Sequence, residues 1–341
     1  MQPRLNISFS LKNQWAFWCG QKYLPQEGEY LLNHARSGIV MALRAALPDG
    51  GRVGVVAYNC HTVANAVVEA ECTPVFVDVT ERLQIDLQHL TTLELDAIIV
   101  TNLFGIHNDI STIRKAQPNA ILIVDNAHGY GLPAEGDFTV YSINQGKMPA
   151  LGAGGLLWVN NAQYQDAIEQ QYCQLSEYSI AAEIKLYMTM LLNAWMHTSL
   201  IYRMITLPIK QHRKPKSCRE KIVIKHMAKG VSRMYRAALP RIDEQIQQRK
   251  TNAQHIAQTW QCLGLGSQVW YGENAFMLIG HHSNPQEIKK VFAQHGVEVA
   301  THFAKAIEWA KEFGYIEGQC PMAEQLTNEL IMIPTYKTFK L

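Results

Sequence analysis

The sequence predicts an α/β protein: a mostly parallel sheet covered by helices on both faces, followed by a smaller C-terminal α/β domain. Three observations carry that reading. Between residues 52 and 158, short runs rich in Val and Ile alternate with segments of helical spacing. From 162 to 260 the pattern is helical almost throughout. A shorter strand and helix alternation then returns between 275 and 333. The 341 residues suit two domains. We place a large one at 1–245, with a helical insert around 162–230, and a small one at 246–341.

The elements follow in order. Residues 35–47 (ARSGIVMALRAAL) read as a helix opened by Ser37 and Gly38, with free backbone amides at its start. Buried strands are expected at 52–58 (RVGVVAY), 74–79 (PVFVDV), 97–101 (AIIVT) and 120–125 (AILIVD). Helices at 63–70, 87–95 and 110–117 separate them, which implies parallel pairing with both faces covered. Residues 155–159 add a strand. In the C-terminal part, strands are expected at 275–279, 297–300 and 330–333, with a helix at 285–294. In such sheets the chemistry sits just beyond the carboxyl ends of the strands.

Composition narrows the function. At 48% hydrophobic and 18% charged, the chain has ample apolar material for a core. Its net charge of +2 gives no global field toward nucleic acid. The seven cysteines (19, 60, 72, 173, 218, 262 and 320) are odd in number and contain no C-x-x-C pair, unlike a disulfide framework or a zinc site. Residues 1–18 lack an unbroken apolar core of the signal-peptide kind. The expectation is a reduced, cytoplasmic protein.

Three strand-end features carry chemistry. IVDNAHGYG ends a strand at Asp125 and places His128 three residues on; a carboxylate buried there needs a cationic or donor partner. YSINQGKMPALGAGG sets Ser142 and Lys147 five residues apart, and an enclosed lysine is a Schiff-base candidate because burial frees its amine. The helix start at Ser37-Gly38 is an anion site. Lysine, carboxylate and anion site are what pyridoxal phosphate requires. Each piece alone has a plainer reading: a turn Asp, a solvated Lys, an ordinary helix start. The order and spacing of the set distinguish it.

With those residues in place, the chain resembles the DegT/DnrJ/StrS family of sugar aminotransferases, pyridoxal phosphate enzymes of fold-type I. The resemblance runs over SGIVMAL, AVVEAECTPVFVDV with QIDL, LFGIHNDI, IVDNAHGYG, SINQGK before GAGG, VEVATHF and CPMAEQLTNELIMIPTY. It implies that Lys147 forms the Schiff base and shuttles the proton, that Asp125 faces the pyridinium nitrogen, and that His128 lies against a ring face or near O3′. Ser142 and the amides of Gly38 and Ile39 would hold the phosphate. It further implies a homodimer with shared sites, an amino donor such as glutamate, and a keto or aldehyde sugar as acceptor. Relatives with histidine in place of the lysine dehydrate sugars; Lys147 favours transamination.

The sequence also departs from the family. Cys60 occupies the position of the usual ring-stacking aromatic, which leaves that contact to Tyr58 or His61. Ile39 replaces a threonine, and an asparagine that serves the partner's phosphate is missing near 230–234. The rival readings are therefore a degenerate binding or regulatory protein and a pyridoxal phosphate-dependent dehydratase.

Several other features have plain readings. Gly129-x-Gly131-x-x-Ala134 fits a dinucleotide fingerprint but lacks its later acidic residue. His281-His282 reads as a solvated strand-end turn, and Cys60 as a packing residue whose neighbour His61 points away. Residues 186–202 hold no charged side chain and precede a basic run from Arg203 through Lys210, Arg213, Lys214, Lys216, Arg219 and Lys221. That stretch reads first as a buried helix pair or dimer contact. The second reading is an interfacial helix with a basic patch at a membrane or an anionic substrate.

Overall fold

The structure is a computed structural model that describes residues 3, 5–7, 9–206, 208–209, 217–262 and 268–337. Seven strands form one sheet in the order β1-β7-β6-β5-β4-β2-β3. They are β1 (Glu29–Leu32), β2 (Arg52–Val56), β3 (Thr73–Val77), β4 (Ala97–Thr101), β5 (Ile121–Asn126), β6 (Phe138–Ser142) and β7 (Gly155–Val159). The β3-β2-β4-β5-β6 block is parallel, and β7 and β1 are antiparallel additions. β4 is buried at every position, as unbroken apolar strands of a doubly covered sheet should be.

Helices α1 (Leu11–Cys19), α2 (Ala35–Ala46), α3 (His61–Glu69), α4 (Leu87–Thr91), α5 (Ile110–Ala116), α6 (Gln165–Cys173) and α7 (Ile180–Met196) follow in chain order. α2 crosses β6 and β7 closely because residue 38 is glycine: a methyl there would lie 2.9 Å from Val140 Cγ1 and 3.2 Å from Leu157 Cβ. A long helix, Ile242–Cys262, leads to a second sheet of three antiparallel strands: β8 (Val269–Tyr271), β9 (Met277–His281) and β10 (Leu330–Pro334). The 245/246 division expected from sequence falls in that helix's first turns. One core cluster runs on from Val100 and Phe104 beside the large sheet to Phe276, Met277 and Met332 in the small one.

Several elements differ from expectation. Residues 297–300 form no strand; Ala300 makes a single bridge to Met332, while Val297 and Val299 are buried in the small core. Alternating valines had the period of a strand, yet only one short partner reaches them. β1, β6 and β8 were not anticipated. The insert is not wholly helical: residues 217–228 form neither helix nor strand, with isolated bridges from Lys225 to Ser176 and from His226 to Leu32. The segment after β5 opens no helix, so the 129–134 glycines build a turn and no dinucleotide loop. His281 ends β9 and pairs with Glu329 at 2.6 Å. Of the basic run, Lys210, Arg213, Lys214 and Lys216 lie outside the described residues.

Candidate active site

The ends of β2, β4, β5 and β6 and the start of α2 enclose one cavity of about 210 Å³ at the carboxyl edge of the large sheet. Ile39, Cys60, Asp125, His128, Ser142 and Lys147 all line it; Ser37, Gly38, Tyr58 and His61 do not.

Asp125 is paired in register with Thr101 and Val140, so the central strands fix it from both sides. Its Oδ1 accepts the Ala127 N–H at 2.9 Å, and the carboxylate has no other hydrogen bond among the described residues. Burial pushes its pKa up, opposed by that hydrogen bond and by Lys147. Such a carboxylate is electrostatically poised to receive a cationic group from the cavity. Lys147 follows β6 on a turn closed by its N–H to Asn144 C=O at 3.2 Å. Burial pulls its pKa down, and the nearby Cys60 and Asp125 push it back up.

His128 packs nearly parallel to Phe276, with centroids 4.7 Å apart, and to Phe104, at 5.1 Å. Its Nδ1 accepts the Phe104 N–H at 3.3 Å, which places the proton of the neutral ring on Nε2. Burial drives its pKa well below the ordinary value, with Lys147 adding to the effect. Two special backbone positions support this contact. Phe104 takes a left-handed conformation, φ 54°, that aims its N–H at the ring. Gly105 leaves room for Asn274, which would collide with any Cβ there and whose Nδ2 donates to the carbonyls of His128 and Tyr130.

At the other end, Ser142 closes β6 and is buried. Beside it the start of α2 has no side-chain cap. Sequence reasoning missed Arg36 here: it lines the cavity, and its buried Nε has no hydrogen-bond partner. His34 sits beside it, its pKa lowered to about 4 by burial and by the Arg36 charge. An arginine in a first helical turn reads as solvated from sequence, so no signal separated it. Ser37, by contrast, turns its hydroxyl to Asn33 at 2.8 Å.

Cys60 is the N-cap of α3, not a strand exit, and accepts the Thr62 hydroxyl at 3.1 Å. Burial raises its pKa, but the His61 imidazole and the Thr62 hydroxyl outweigh it and bring the thiol to about 7. Neither proposed aromatic substitute lines the cavity: Tyr58 is fully buried with its hydroxyl on His302 C=O at 2.7 Å, and His61 lies edge-on to Trp309. Besides the imidazoles of His34 and His128, the aromatic ring that lines it is Phe303, from the VEVATHF segment.

A buried amine, a carboxylate lacking a cationic hydrogen-bond partner, and an uncapped helix start with a buried, unpartnered arginine Nε fit pyridoxal phosphate by donor chemistry.

The fold is similar to that of solved aminotransferases. The sugar aminotransferase CalS13 from Micromonospora echinospora superposes with a TM-score of 0.72 at 14% identity, covering 98% of this chain and 95% of that one. An aminotransferase from Psychrobacter cryohalolentis gives 0.69 at 18% identity, covering 91% and 83%. The aminotransferase TlmJ from Streptoalloteichus hindustanus gives 0.69 at 15% identity, covering 98% and 92%. The model of the DegT/DnrJ/EryC1/StrS aminotransferase family matches residues 31–341. The fold, the convergent site and that match together place the chain in the DegT/DnrJ/EryC1/StrS aminotransferase family, a family of pyridoxal phosphate-dependent enzymes.

Proposed function

We propose that this protein moves an amino group from an amino acid, glutamate, to the keto or aldehyde carbon of a sugar. The observation that supports this most is the convergence of Lys147, Asp125, Ser142 and Arg36 on one cavity. Pyridoxal phosphate, when bound, supplies the electron sink that lets an amino acid lose its Cα proton. Lys147 provides the amine that anchors it and the Nζ that takes and returns that proton; its burial keeps a neutral amine within reach. Asp125 holds a proton on the ring nitrogen, its carboxylate gaining the cation that its buried position lacks. His128 offers Nε2–H to the ring oxygen and stays neutral throughout. Ser142, Arg36 and the first amides of α2 hold the phosphate, with the Arg36 charge replacing the hydroxyl absent at Ile39. Cys60 and Phe303 bound the ring's surroundings. The same reading takes the molecule as a homodimer whose sites are completed across the interface, as the family resemblance implies.

The test is spectroscopic. Purified holoprotein treated with glutamate should lose the absorbance of the lysine-bound cofactor and gain that of the aminated form, and a keto sugar should reverse the change. Lys147→Ala should abolish both. Unchanged spectra with every amino donor would overturn transamination and favour a binding protein or a dehydratase.

A further inference from the structure

A second cavity, of about 410 Å³, opens beside the loop that carries Lys147 and shares no lining residue with the site described above. Pro149, Ala150 and Leu151 give part of its wall. The rest comes from the start of α1, from the junction of the helix Lys229–Ala238 with the long helix Ile242–Cys262, and from Tyr336 after β10. Its charge is one-sided. Lys12, Arg241 and Arg249 line it, and no Asp or Glu does. Asp243 and Glu244, in the first turn of the long helix, stay outside the lining. None of the three cations forms an ion pair among the described residues. Arg249 is nearly enclosed, at 6% exposed. Its Nη1 donates to the Phe276 carbonyl at 2.9 Å and to Thr335 Oγ1 at 3.4 Å, while Nε and Nη2 make no hydrogen bond among the described residues. Burial lowers its pKa to about 10, with Tyr336 acting against the shift, so the guanidinium stays charged at neutral pH. An enclosed cation with unused donors and no acid beside it is suited to an incoming anion.

The remaining lining narrows the kind of anion. Asn6, Asn13 and Gln245 bring side-chain amides that make no hydrogen bond among the described residues, and an amide can both donate to and accept from a hydroxyl. Ala150, Leu151, Ala237 and Ala238 form a low apolar wall, which suits the C–H face of a sugar ring. The first turn of α1 holds no acid, so its dipole adds to the attraction for a negative group. A bare phosphate would leave the amides and the apolar wall unused. A neutral sugar would leave the cations unmet. We propose that this cavity binds a phosphorylated sugar, with its phosphate on Arg249, Arg241 and Lys12 and its hydroxyls on the amides. The proposal stands independently of the transamination reading.

The choice of variant follows from the contacts. Arg249 also holds Phe276, on which His128 packs with centroids 4.7 Å apart, so replacing it would disturb the cofactor cavity. Lys12 and Arg241 are exposed and unpaired, and are the positions to change. The test is calorimetric titration of the full-length holoprotein, at saturating cofactor, with glucose 6-phosphate as the probe beside glucose and inorganic phosphate. Glucose 6-phosphate should bind saturably, and the other two at least about tenfold more weakly. Lys12→Gln with Arg241→Gln should weaken the sugar phosphate at least about tenfold, since two charge-assisted contacts are lost. That variant should keep its circular dichroism and its cofactor absorbance. Arg36→Met, which alters the other cavity, should bind the probe as wild type does. Absence of saturable binding overturns the proposal, and so does a double variant that binds like wild type. Inorganic phosphate binding as tightly as the sugar phosphate would show a bare anion contact and no sugar site. Loss of probe binding in Arg36→Met would place the ligand in the cofactor cavity and overturn the proposal as well.

Discussion

On the proposed reading, Arg36 is the residue that holds the phosphate end of the cavity. It brings a full charge to a helix start that lacks a side-chain cap, and its buried Nε is left unpaired within the protein. A charge-assisted contact of this kind is worth about 1.5–3 kcal/mol, or roughly a tenfold to hundredfold change in affinity. Arg36→Met should therefore weaken pyridoxal phosphate by that factor in a titration of the apoprotein. Binding of pyridoxal, which has no phosphate, should change little. Equal losses for both would place Arg36 elsewhere. Asp125 was legible in sequence because it ends an apolar strand, where an unpaired carboxylate is costly, and Ser142 and Lys147 because of their spacing before a Gly-rich turn, although the strand that carries Ser142 was not read. Arg36 and Phe303 were not legible, since a first-turn arginine and a lone phenylalanine look like a solvated residue and a core residue. The position of His128 was legible, but its packing was not: Phe276 lies 148 residues further along the chain, and only the folded chain stacks it on the imidazole.

At the scale of elements, the Val- and Ile-rich runs gave β2 to β5 to within a few residues because continuous burial leaves a strong pattern. β1 has four residues and β8 three, too short for periodicity to register. The joint between the two sheets was also invisible, because it is made by single side chains. Asp78, buried just after β3, accepts the Met322 and Ala323 N–H groups at 3.0 and 2.8 Å and so caps the distant helix Pro321–Glu329. An N-cap is normally local; here a residue more than 240 positions earlier supplies it. Asp78→Ala leaves three donors unmet, the N–H groups of Val79, Met322 and Ala323, and should cost about 2–3 kcal/mol in urea denaturation. Asp78→Asn, which can still accept through Oδ1, should recover part of that loss. A cost below about 0.5 kcal/mol would show that water replaces the cap.

For the molecule as a whole, the shared core and the Asn274 contacts tie the cofactor cavity to the small sheet. Loss of the cavity and loss of the small sheet should then be one event. Denaturation followed by cofactor absorbance and by the fluorescence of Trp260, buried under the small sheet, should give coincident curves. Asn274→Ala removes the donor to His128 and Tyr130 and the acceptor of the Phe276 N–H. It should separate the two curves, with the cofactor signal lost first. Coincident curves in that variant would mean that the apolar contacts alone couple the halves.

The antiparallel pairing of β1 with β7 bears on the order in which the chain is made. Glu29 faces Trp158 and Leu32 faces Gly155, so the earliest strand has no partner until more than 120 further residues have left the ribosome. His34 and Arg36, carried just beyond that strand, meet Ser142 only once it is placed. Closing so long a loop is entropically slow compared with the local β-α-β steps between β2 and β5. Nascent chains released before residue 155 would hold the central parallel strands without His34 and Arg36 in place beside Ser142, so that on the proposed reading Asp125 would stand ready before the anion pocket is complete.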